Sequence, residues 1–72
     1  MRPSTMVYYR RAAVAGDARA QTNLGNYYLA GGEEGENVDW AEAARWLRKA
    51  AAQGEVVAEY NLATMYIKGG HG

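Results

Sequence analysis

The stretch DWAEAARWLRKAAAQG, residues 39–54, decides the fold. Trp40, Ala43, Ala44, Leu47, Ala50 and Ala51 recur at the three- and four-residue spacing of one helix face, so the segment reads as an amphipathic helix. Asp39 caps its start, Glu42 three residues on completes a capping box, and Gly54 closes it. Glu42 and Arg45 share a face and form a small surface ion pair. Arg48 and Lys49 lie towards the C-terminal end, where cations suit the helix dipole.

The C-terminal part of the chain repeats the N-terminal part. Moved forward by 38 positions, residues 10–32 fall on residues 48–70 with identity at ten of 23 ungapped positions. Among the pairs are Arg10 with Arg48, Ala13 with Ala51, Gly16 with Gly54, Asn23 with Asn61, Leu24 with Leu62 and Tyr28 with Tyr66. A period in this range marks stacked helical hairpins, each too small to bury its apolar face alone.

The flanking segments complete the two copies. A first helix is predicted over 4–15, capped by Ser4 or Thr5 with Pro3 before or at its first turn. Tyr8, Tyr9, Ala12 and Ala13 form its apolar stripe. Gly16 ends it and Asp17 caps a second helix over 18–30 that buries Ala20, Leu24 and Tyr28. Residues 31–38 form a glycine- and glutamate-rich loop, and a last helix over 55–68 buries Ala58, Leu62, Met65 and Tyr66. The predicted fold class is therefore all-α. It is one domain over 1–72, made of two antiparallel helical hairpins (4–30 and 39–68), a fragment of an α/α superhelix or solenoid. Small residues at 12, 13, 25, 50, 51 and 63 let the helices approach closely. Trp40, Trp46, Leu24 and Leu62 fill the gaps, giving one continuous core.

Composition narrows the function. A chain of 72 residues buries only a thin core. It has no cysteine, which excludes a disulfide framework. Formal net charge is zero, against the basic excess that nucleic-acid binding demands. No apolar run approaches the roughly 20 residues of a membrane span. Arg10 and Arg11 interrupt the only candidate signal-peptide segment, so the compartment is cytoplasmic by default, or the chain is part of a longer one.

With these residues in view, the chain resembles the Sel-one-like repeats, relatives of the tetratricopeptide repeats. Asp39, Ala43, Trp46, Lys49, Ala50, Ala51 and Gly54 match the first half of that family's pattern. Ala18, Ala20, Gln21, Leu24, Gly25, Tyr28 and Gly31 match the second half, which Ala58, Leu62, Tyr66 and Gly69 repeat. Leu47 departs from the usual aromatic beside Trp46, and the connection from Tyr28 to Asp39 is longer than the family's commonest form. The resemblance implies an α/α superhelix acting as a protein-binding scaffold, often bacterial. Some secreted, cysteine-rich relatives have been linked to cell-wall antibiotics. This chain has neither cysteine nor a nucleophile paired with a base, so no enzymatic activity is expected.

Candidate partner-binding residues come from the basic set and from the repeated asparagines. Arg10, Arg11, Arg45, Arg48 and Lys49 lie on the first helix of each pair, which lines the concave face in tetratricopeptide-like folds. Either they clamp an acidic peptide or carboxylate terminus, or they are a solvated helix face with snorkelling stems. Asn23 and Asn61 could hold the backbone of a bound peptide, but recurrence in both copies favours a bond to the neighbouring helix or loop. Glu33, Glu34, Glu36 and Asp39 lack the alternating ladder of a calcium loop and read as solubilising. His71 has no second ligand. No cofactor or metal is expected. Tyr27 and Tyr60 fall off the main stripes and suit packing against a further repeat. The expected function is a scaffold module that binds a protein or peptide on the first-helix face. The alternative is a structural unit of a longer repeat protein, with no ligand of its own, that only stacks on further repeats or on itself, its end helices lacking the polar outer face of a capping repeat.

Overall fold

The computed structural model describes residues 3–32 and 38–68, and among them it is all-helical. Four helices occur in order: α1 (Pro3–Val14), α2 (Ala18–Leu29), α3 (Trp40–Ala51) and α4 (Val56–Ile67). Chemistry fixes their ends. The N–H of Gly16 donates to Ala13 O at 3.0 Å and that of Asp17 to Ala12 O at 3.0 Å. At the second hairpin Gly54 and Glu55 repeat the pair, donating to Ala51 O at 2.9 Å and Ala50 O at 3.2 Å. This left-handed closure leaves the glycines at φ of +103° and +85°, where a side chain would be strained.

An acidic residue stands at the start of each of α2, α3 and α4. Asp17 Oδ1 accepts the Ala20 N–H at 2.9 Å, and Asp39 Oδ1 accepts that of Glu42 at 3.1 Å. Glu55 occupies the equivalent cap of α4, but its side chain makes no capping bond. Two start signals differ from expectation. The first helix begins at Pro3, whose fixed φ suits a first turn, so Ser4 and Thr5 lie inside it and cap nothing. The capping box at Asp39 is half formed. The Glu42 carboxylate pairs with Arg45 at 3.3 Å, while the Asp39 N–H donates to Tyr28 O at 3.3 Å and ties α3 to the end of α2.

Consecutive helices run antiparallel, as their pairings show: Arg10 meets Tyr28 while Gln21 meets Ala13, and Gln53 meets Gln21 while Leu47 lies at Gly25. The most extensive contact is between α2 and α3. It is close because Gly25 has no side chain: a Cβ there would stand 2.6 Å from Leu47 Cγ. Leu47 therefore does the gap-filling expected of Leu62, which is only half-buried.

The core falls into two clusters rather than one. Ala13, Ala20, Leu24 and Trp46 form the first, and Ala43, Ala44, Leu47, Ala50, Ala58 and Met65 the second. Tyr28 touches both, and α3 supplies Trp46 to one cluster and Leu47 to the other. Leu24 and Leu47 are fully buried, each contributing about 1.5–3 kcal/mol of apolar transfer. Tyr8 and Tyr66, expected in the core, are 67% and 46% exposed. Their helices lie at the two ends of the stack and have a neighbour on one side only. Tyr27 packs edge-on against Tyr28 with ring centroids 5.3 Å apart, whereas Tyr60 stands in solvent.

Candidate functional site

The first helices of the two hairpins, α1 and α3, border an open groove. Its walls are Ala13 and Val14 on α1, Gln21 on α2, and Arg45, Trp46 and Lys49 on α3. One end is fixed by a glutamine ladder. Gln53 Nε2 donates to Gly16 O at 2.8 Å and to Gln21 Oε1 at 3.0 Å, and Gln21 Nε2 donates to Ala13 O at 3.1 Å. Gln21 is buried, so its amide requires such partners, and the ladder joins the turn of the first hairpin to the end of α3.

Trp46 is only 3% exposed, and its indole N–H is the one buried side-chain polar atom without an acceptor among the described residues. The Arg45 guanidinium lies 4.8 Å from the Trp46 ring centroid while also pairing with Glu42. That ion pair is exposed and contributes at most about 1 kcal/mol, so a carboxylate from outside can compete for Arg45. Lys49 makes no hydrogen bond or ion pair with a described residue.

The seven residues proposed from the sequence do not form one site. Arg45 and Lys49 share the groove. Arg10 and Arg48 are tethered: each guanidinium donates to the tyrosine hydroxyl 18 residues on, Arg10 to Tyr28 and Arg48 to Tyr66, the second at 2.7 Å. These matching bonds staple α1 to α2 and α3 to α4. Arg11 lies with Arg10 on a shallow outer surface of α1 beside Met6, Val7 and Val14. Asn23 faces a separate depression near Arg19, Asn26 and Glu55. Asn61 Nδ2 donates to Asn26 Oδ1 at 2.6 Å, a bond from the second hairpin to the first.

Sequence reasoning missed Asn26, Gln53 and the tyrosine hydroxyls. The Arg–Tyr bonds had a signal, since Arg and Tyr recur 18 apart in both copies. The glutamine ladder had none: the positions equivalent to Gln21 and Gln53 hold Glu59 and Ala15.

No family model matches the chain, and neither a curated protein nor a solved structure matches it. Among the described residues no group of His, Asp or Glu is placed to hold a metal ion, and no helix is long and apolar enough to cross a membrane. The acidic loop residues Glu33, Glu34 and Glu36, and His71, lie outside the described residues.

Proposed function

We propose that this chain is a Sel-one-like repeat unit, two hairpins of an α/α superhelix, that serves as a non-enzymatic protein-interaction module. Three features support the repeat reading: the ten identities at a spacing of 38, the twin glycine closures and the twin Arg–Tyr staples. One observation carries the binding reading. Arg45 and Lys49 flank the Trp46 wall of the α1–α3 groove opposite the exposed Val14. An acidic peptide fits this chemistry: carboxylates meet the two cations, and aliphatic stems rest on Val14.

The test is fluorescence anisotropy with labelled peptides of stepped Asp and Glu content. Acidic peptides should bind with affinity that falls as salt rises. Reversing both charges, Arg45→Glu with Lys49→Glu, should weaken binding by roughly tenfold or more. Arg48→Glu should matter less, because Tyr66 already holds that guanidinium. Equal affinity in the double variant overturns the groove assignment.

A second reading, that the unit stacks and self-associates, is favoured by the exposed apolar residues on both end helices. These are Val7 and Tyr8 on α1, and Val56, Tyr60 and Ile67 on α4.

A further inference from the structure

The self-association reading can be made specific, because the molecule already contains one copy of the junction it needs. Inside the chain, α3 covers the first hairpin. Ala13 and Leu24, 1% and 0% exposed, together with Gln21 and Gly25, lie buried beneath or beside it. Shifted by 38 positions, these four become Ala51, Leu62, Glu59 and Ala63 on the second hairpin. There the same surface is open: Ala51 and Leu62 are half-buried, and the other two are exposed. The helix that would cover it is the counterpart of α3, which is α1. Its equivalent of the buried Trp46 is Tyr8, an aromatic ring lying in solvent.

We infer that two copies of this chain dock head to tail, with the outer face of α1 of one copy seated on the α3–α4 face of the next. Tyr8 then lies over Ala51 and Leu62, as Trp46 lies over Ala13 and Leu24. Charge agrees with this choice of occupant. Lys49 and Gln21 line the internal junction together, and their counterparts at the junction between copies are Arg11 and Glu59, a cation facing a carboxylate. Two differences make this junction weaker than the internal one. Ala63 replaces the Gly25 that admits Leu47, and Ala15 replaces Gln53, so no glutamine ladder forms. The interface pairs unlike surfaces, so each copy keeps one free end and association is open-ended.

Sedimentation velocity over a concentration series tests this, with circular dichroism confirming helicity for each variant. The average mass of the unaltered chain should rise with concentration past that of a dimer. Tyr8→Asp, which spoils only the α1 end, and Ala63→Arg, which spoils only the α4 end, should each be monomeric, both positions being exposed. An equimolar mixture of the two should give a one-to-one dimer and nothing larger, since only one competent junction remains. Arg11→Glu and Glu59→Arg should each weaken association roughly tenfold, and combining them in one chain should restore it. An unaltered chain that stays monomeric at millimolar concentration overturns both this inference and the self-association reading. A chain that stops at a closed dimer, or a variant mixture that does not pair, overturns the head-to-tail geometry alone.

Discussion

At the scale of the residue, two glycines of this chain are required for different reasons, and substitution separates them. Gly16 has open space around its missing Cβ but sits at φ +103°, so Gly16→Ala costs only backbone strain, about 1–2 kcal/mol. Gly25 is helical, and Gly25→Ala would gain about 1 kcal/mol of helix propensity. The new Cβ, however, lands 2.6 and 2.8 Å from the buried Leu47 side chain and 3.3 Å from Ala43 O. Overpacking of that kind costs about 1–3 kcal/mol, and the fully buried leucine has no free direction in which to yield. Denaturant unfolding should therefore show both substitutions destabilising by similar amounts. In a Leu47→Ala background the two part: the Gly25→Ala penalty should fall by about 1–3 kcal/mol, while Gly16→Ala keeps its cost. A Gly25→Ala penalty that persists without Leu47 would mean that the helix spacing is set elsewhere.

At the scale of the element, the four helices share a length and differ in how they begin. The short side chains of Asp17 and Asp39 each reach a backbone N–H in the first turn of α2 and α3, whereas Glu55 at the start of α4 reaches none. Glu55→Asp should therefore stabilise the protein by about 0.5–1 kcal/mol, and Asp17→Ala should cost about 1 kcal/mol. Paired thermal melts would show the two shifts in opposite directions. If Glu55→Asp lowers the melting temperature, the carboxylate at 55 has a role that capping does not describe. Such ends were largely legible in the sequence, because caps and glycine closures are local chemistry. The start of α1 was misjudged only because Pro3 takes the first helical position ahead of Ser4 and Thr5. Burial was less legible. Periodicity says which residues share a face, and Tyr8 and Tyr66 do share one with the half-buried Ala12 and Leu62, but it cannot say how much of that face has a helix opposite it. The candidate site suffered likewise. Spacing placed Arg45, Arg48 and Lys49 on one helix, and only the packing of α4 against it turned Arg48 towards Tyr66, while Lys49 is left in the groove that α3 shares with α1.

At the scale of the whole molecule, stability should be graded across the stack. Each inner helix, α2 and α3, is packed against helices on two sides, and each outer helix chiefly against its hairpin partner. The inner pair also holds both clusters together, through Tyr28 and Trp46. Helices with the fewest neighbours open locally at a free energy below that of global unfolding. Hydrogen exchange in dilute solution should then find the slowest amides in α2 and α3, with those of α1 and α4 exchanging faster. Uniform protection across all four helices would mean that the stack opens only as a whole. The same measurement bears on the junction between copies. If α1 of one molecule covers the α3–α4 face of the next, raising the concentration should slow exchange at both end helices together and leave α2 unchanged. Slowing at only one end would require an interface built from like surfaces, and the complementary roles of Tyr8 and Leu62 would have to be given up.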